Sequence, residues 1–273
     1  MLLETLQQHA RQTPDRVVLR APRGDAYREW TCAQVWRSIL SAAAHLRGLG
    51  AEPGQRVAIF AENSPEWALA CLGVAAAGCA AVPIDAQYTA RELPGLLTFA
   101  KCRVILTTST LRPIIETVLP RTPVRKVVLI DGASPLFESP PLDPPPTLDP
   151  KSLLALIYTS GTTGEPKAVR LSLGAVESNI KDMMRLRMIR ASDNVLSLLP
   201  LHHCYALTVT VLAPLATGCC TTFCASLRGP DILRVTRETG VTVLPGVPKL
   251  LEGFDRALAA RLDSLPPFRR GVF

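Results

Sequence analysis

The chain contains no C-x-x-C pair, no G-K-[ST] turn and no apolar stretch fit to cross a membrane. Each absence closes a class of reading. The eight cysteines lie mostly inside apolar runs, as at Cys71, Cys79, Cys219 and Cys220, which suits buried free thiols in a reducing compartment and not a disulfide scaffold. A cytoplasmic protein is expected. His202, His203, Cys204, Cys220 and Cys224 follow no metal-ligand spacing, so no metal site is assigned to them. The uncharged run Ala68 to Ile84 is alanine-rich, broken by Gly73 and Gly78, and has Pro83 near its end. It reads as a buried helix followed by a strand, not as a transmembrane segment. The opening MLLETLQQHA carries Glu4 and lacks a long apolar core, which makes it an amphipathic helix and not a signal peptide.

Charge of one sign is not concentrated either. Lys and Arg number 30 against 23 Asp and Glu, a net +7 spread along the chain, and the aromatic residues (5%) do not interleave with basic ones. No nucleic-acid partner is expected. The densest basic stretch, KDMMRLRMIR from Lys181 to Arg190, also carries Met183, Met184, Leu186 and Ile189 at helical spacing. A solvated helix face is the plain reading. Docking of a phosphorylated cosubstrate, or peripheral contact with an anionic membrane, is the alternative.

What is present is 273 residues, 48% of them hydrophobic, enough for a sizeable core in two lobes. Helical and strand patterns alternate, with helices expected at 31–47, 64–77, 89–100 and 111–118, and strands at 56–61, CAAVPID, 104–107 and 126–130. Asn63 or Ser64 would cap the second helix. Residues 1–130 are thus a first α/β lobe with a parallel sheet. The prolines of DGASPLFESPPLDPPPTLDP cannot donate to a ladder, so residues 131–150 read as a Pro-rich linker or surface loop. Residues 151–273 form a second lobe. Its strands are expected at 153–157, 195–199, CCTTFC and 241–244, and its helices at 175–187, 206–217 and 230–239.

Strand 153–157 runs into YTSGTTGEPKAV, residues 158–169. Small residues leaving a strand can turn successive amides inward as a concave donor site for phosphate oxygens, and Lys167 adds a charge on a flexible stem. Glu165 and Pro166 break the Walker pattern, which disfavours a kinase or GTPase. The order of residues closely resembles the phosphate-binding signature Y-T-S-G-T-T-G-x-P-K-G-V of the adenylate-forming (AMP-binding) superfamily, which includes acyl-CoA synthetases, luciferases and peptide-synthetase adenylation domains. Ala168 stands where that signature has glycine. LLPLHHCYALTVTVLAPLATG resembles the family's substrate-site motif, and VTVLPGVPKLL the strand and helix start that wall its acyl pocket. The segment from Thr31 to Asp85 is similar to the family's opening helix, strand and helix.

The resemblance implies an α/β fold of two stacked sheet-and-helix lobes, as in the N-terminal domain of adenylate-forming enzymes, truncated. It implies ATP, Mg2+ and coenzyme A as cosubstrate: a carboxylate attacks the α-phosphate, pyrophosphate leaves, and a thiol displaces AMP from the acyl adenylate. The ATP phosphates would fall to Thr159, Ser160, Gly161, Thr162, Thr163, Gly164 and Lys167, and the acyl substrate to His203, Tyr205, Gly246, Val247 and Pro248. No catalytic residue is assigned, since the adenylating lysine, the Y-G-x-T-E segment and the magnesium-holding glutamate would lie beyond Phe273. The chain alone is expected to be inactive, with a C-terminal half supplied in the same or a partner chain. A non-catalytic acyl- or phosphate-binding module, or a decaying remnant, is the alternative.

Amino-acid-activating relatives generally carry an aspartate just past the position of His203, whereas no Asp or Glu occurs here from Val195 to Pro230. Leu201, Tyr205, Leu207, Val209, Val211 and Leu212 offer an apolar wall in which an unpaired ammonium would be costly. The partner expected is a small-molecule carboxylic acid of the fatty or other apolar kind. His202 and His203, being adjacent, are expected to face different directions and not to share one job.

Overall fold

The computed structural model describes residues 2–159, 167–224 and 226–263. The chain opens with α1 (Leu2–Gln12), whose Leu2, Leu3 and Leu6 are buried, and then a hairpin of β1 (Val17–Arg23) and β2 (Ala26–Thr31). The hairpin was not among the expected elements. Gly24, at φ +60°, begins its two-residue turn with the positive φ that tight hairpins need. Thr31 then caps α2 (Cys32–Gly48): its hydroxyl accepts the Gln34 N–H at 3.3 Å while the Gln34 side chain accepts the Thr31 N–H at 2.9 Å. After β3 (Arg56–Phe60), Ser64 caps α3 (Pro65–Ala76) by accepting the Trp67 N–H at 3.0 Å. The order continues with β4 (Ala80–Ile84), α4 (Leu93–Phe99), β5 (Val104–Thr107), α5 (Arg112–Val118) and β6 (Lys126–Leu129). The α4 helix starts later than expected, after a turn over residues 89–92 in which Glu92 accepts the Thr89 N–H at 2.9 Å and its hydroxyl at 2.8 Å. Pro94 then fits only a first helical turn.

Residues 131–150 are a packed strap, which corrects the linker reading. Within it α6 (Pro135–Glu138) lies against α2, with Leu136 fully buried and Phe137, Leu142 and Leu148 against the core. The Leu142 N–H donates to the Leu40 carbonyl at 3.2 Å. Prolines bar the strap from a ladder, yet its apolar side chains still leave water. Next come β7 (Leu153–Thr159), β8 (Lys167–Ser172), α7 (Leu173–Arg185), β9 (Asn194–Ser197), α8 (Cys204–Leu207), α9 (Ala213–Thr217), β10 (Cys220–Phe223), α10 (Gly229–Thr239) and α11 (Pro248–Asp263). A π turn over Thr208–Leu212 joins α8 to α9 where one plain helix was expected. Pro214 has no N–H to offer the Thr210 carbonyl, which accepts the Thr221 hydroxyl at 2.7 Å instead. The expected strand 241–244 shrinks to a single bridge between Val195 and Val243, with Pro245 unable to extend it.

Six strands pair in the order β6-β5-β3-β4-β7-β8 and four in the order β2-β1-β10-β9. All pairings are parallel except β7–β8 and β1–β2. The division at 131–150 therefore does not separate the sheets: β7 and β8 complete the sheet of β3–β6, and the N-terminal hairpin flanks β10. Side chains alternate as strand geometry dictates. Val57 and Ile59 of β3 face the central core, whereas Ala58 and Phe60 face an outer cluster with Leu97 of α4 and Ile115 of α5. Val195 of β9 likewise faces the centre and Leu196 faces Ile232 and Val235 of α10. Helices α2, α3 and α9 contribute to the central core shared by both sheets. Among the described residues no helix is long and apolar enough to cross a membrane. Because the strap carries a core side chain, Leu136→Ala is expected to cost about 2–5 kcal/mol of stability, read from urea unfolding. A loss near zero would return residues 131–150 to the status of a free linker.

Candidate functional site

Parallel strands capped by crossover helices leave their C-terminal ends open, and ligands of α/β proteins collect there. Here β3, β4, β9 and β10 all end at one cleft of about 460 Å³. Ala61, Glu62 and Asn63 follow β3; Asp85, Ala86 and Gln87 follow β4; Leu198, Pro200, His202 and His203 follow β9; Cys224 and Leu227 follow β10. Since β7 runs parallel to β4, Thr159 stands on the same side of the sheet as Asp85. Thr159 pairs with Lys167 of β8, so these two root the loop between them; both are exposed. Ser160, Gly161, Thr162, Thr163 and Gly164 lie outside the described residues. Tyr158 is an anchor: its hydroxyl donates to the Leu96 carbonyl at 2.5 Å, and burial chiefly pushes its pKa up.

Asn63 ties the two sheets together at the cleft floor. Its side-chain amide donates to the Leu199 carbonyl at 2.7 Å, and its side-chain oxygen accepts the Leu201 N–H at 3.0 Å. That clamp fixes the turn in which the His203 N–H donates to the Pro200 carbonyl at 3.1 Å. The turn brings both imidazoles into the cleft, ring centroids 4.3 Å apart, contrary to the expectation that they point apart. Neither strand nor helix alternation governs a turn. Burial chiefly holds His202 below the ordinary imidazole value, with His203 adding to that and Asp85 opposing it. The Asp85 carboxylate lies 3.6 Å from His202 Nε2. Glu62 accepts the Thr108 hydroxyl at 2.8 Å. Asn63, Glu62 and Asp85 are site residues that the sequence motifs do not mark; their place just past parallel strands was the available signal.

A second cavity, about 530 Å³, adjoins the same turn and is mainly apolar, lined among others by Val176, Met183, Met188, Val209 and Pro245. Cys204 and Tyr205 line it. The Tyr205 hydroxyl reaches the Gly246 carbonyl at 3.5 Å. Val247 is exposed and Pro248 opens α11; neither lines the cavity, which takes Val243 and Pro245 from that segment instead. Of the expected apolar wall, only Tyr205 and Val209 face this space, while Leu201, Leu207, Val211 and Leu212 are fully buried in the central core. Helical spacing accounts for the split: Val209 lies one turn from Tyr205, on the face opposite Leu207 and Val211. All eight cysteines are free and six of them are buried, as the apolar runs around most of them imply, while Cys204 is exposed. Among the described residues no three His, Cys, Asp or Glu side chains gather as a metal site.

The AMP-binding enzyme family model matches residues 6–270, nearly the whole chain. The chain belongs to that family. Its likeness includes the long-chain-fatty-acid–CoA ligase FadD15 of Mycobacterium bovis, 29% identical over 222 residues, covering 76% of this chain and 37% of that protein. A linear gramicidin synthase of Brevibacillus parabrevis is 28% identical over 260 residues, covering 93% of this chain and 3% of that protein. The inhibitor-bound N-terminal domain of FACL13 from Mycobacterium tuberculosis superposes with a TM-score of 0.83 at 26% identity, over 92% of this chain and 64% of that one. Among the CoA ligases it matches, the chain spans about half of their length or less, from 37% to 50%. It corresponds to the N-terminal region of this AMP-binding family. Because Asn63 bridges the cleft floor to the histidine turn, Asn63→Ala is expected to unpair two groups and cost about 2–4 kcal/mol in urea unfolding. An unchanged midpoint would show that the clamp does not hold the turn.

Proposed function

We propose that this chain supplies the phosphate-binding and acyl-binding part of an ATP-dependent acid–thiol ligase, which activates a fatty or other apolar carboxylic acid as its adenylate for transfer to coenzyme A. The observation that carries the reading is the turn at residues 202–205, which stands between a cleft bearing Glu62, Asp85 and the two histidines and a more apolar cavity. An acid with an apolar tail needs both. Its carboxylate can meet His203 in the cleft while the tail leaves water beside Tyr205 and Val209. Among the described residues no Asp or Glu lines the apolar cavity, so an amino-acid ammonium would lack a partner there. The FadD15 likeness is consistent with this, and the gramicidin synthase likeness makes the cavity's chemistry the deciding support.

In this reading Thr159, Ser160, Gly161, Thr162, Thr163, Gly164 and Lys167 receive the triphosphate of ATP, and Gly246 with its neighbours closes the acyl side. Mg2+ would accompany the triphosphate, and the described residues gather no metal site for it by themselves. A cytoplasmic setting belongs to the same reading, supported by eight unpaired thiols. Residues 1–273 alone are expected to bind medium or long fatty acids, to bind pyrophosphate only at about millimolar concentration, and to form no acyl-CoA. Lys167→Ala should weaken pyrophosphate on the order of tenfold by calorimetry. Binding of amino acids in preference to fatty acids would overturn the substrate class, and pyrophosphate binding indifferent to Lys167 would overturn the loop assignment.

A further inference from the structure

The C-terminal tip of α7 presents apolar and basic side chains together. Leu186 is 71% exposed, Met188 60% and Met184 42%. Lys181, Arg185, Arg187 and Arg190 are exposed around them, against one acid, Asp182, in residues 181–190. Among the described residues none of these four cations takes part in an ion pair. The helix ends by the paired bonds from the Arg187 N–H to the Met184 carbonyl, 3.0 Å, and from the Met188 N–H to the Met183 carbonyl, 3.1 Å. That closing pattern puts its turn residue at positive φ, where glycine is usual. Here the residue is Arg187, at φ +53°. An exposed side chain is thus kept at the turn in a conformation L-residues avoid. Met183, Met188 and Ile189 also line the apolar cavity, so this tip is its rim.

We infer that residues 181–190 dock the protein on an anionic lipid surface, with Leu186 and Met188 entering the headgroup layer and the four cations meeting lipid phosphates. The charge is complementary to such a surface, and shallow apolar insertion ringed by Lys and Arg is how interfacial helices bind. The tip's continuity with the cavity lets an apolar acid pass from lipid to site. That last step rests on the substrate class proposed above; the docking itself does not.

Cosedimentation of residues 1–273 with vesicles tests it. Retention is expected on phosphatidylcholine mixed with phosphatidylglycerol, falling as salt rises, and not on phosphatidylcholine alone. Neutralising two cations in Arg185→Gln/Arg187→Gln should weaken it about 25-fold, at about fivefold per charge. The pair Leu186→Ser/Met188→Ser should release the protein with its charge intact. Equal retention on both vesicles, or retention unchanged in both variants, overturns the proposal. So does retention on immobilised polyglutamate with none on either vesicle, which would assign the tip to an acidic protein. Fatty-acid binding measured in vesicle-free solution separates the two readings: its loss with vesicle retention intact removes the substrate class and leaves the docking surface standing.

Discussion

A helix without a solvent face holds this structure together. Pro65 and every residue of α3 from Trp67 to Ala76 are buried, and the helix touches α2 together with β1, β3 and β4. Such a helix is apolar all round and can exist only inside a closed layer. Gly73 permits the closure, because a Cβ there would collide with the Cβ of Ala42 on α2. The same helix starts at the cleft. Ser64 caps it and Asn63, one residue earlier, holds the 199–201 segment, so the packing of α3 in the core sets where the histidine turn stands.

From that constraint follows a division of chemistry along a few residues. His202 and His203 face the cleft with Glu62 and Asp85, while Cys204 and Tyr205 face the more apolar cavity. The π turn just beyond is part of the same arrangement. Pro214 interrupts the helix and the Thr210 carbonyl finds Thr221, while Tyr205 and Val209, one turn apart, face the cavity and Leu207 and Val211 fill the core. Burial also keeps His202 below its usual imidazole value, with Asp85 at 3.6 Å opposing that shift.

The elements set by local physics were legible from residues alone. Thr31 with Gln34, Ser64 with Pro65, and the apolar run of β7 announce their boundaries through capping and periodicity. What could not be read was which strand pairs with which, because β1 and β7 join sheets built mainly from the other half of the chain, and pairing is a non-local choice. The hairpin at Gly24 does carry a short-range signal, a glycine in a two-residue turn between strands. In the site, the motif at residues 158–169 pointed to a phosphate loop, but the clamp by Asn63 exists only once both sheets are in place. Pro-rich composition hid the buried Leu136 for a related reason: proline rules out a ladder without ruling out packing.

The central claim is that one acid spans the turn at 202–205, head in the cleft and tail in the apolar cavity. A fatty acid carrying a diazirine at its terminal carbon, photolysed on residues 1–273 and mapped by mass spectrometry, tests this directly. Adducts are expected on residues 176–189 and 204–209, and an excess of unlabelled fatty acid should suppress them. Adducts confined to the cleft residues around Asp85 and His202, or scattered without competition, would contradict it.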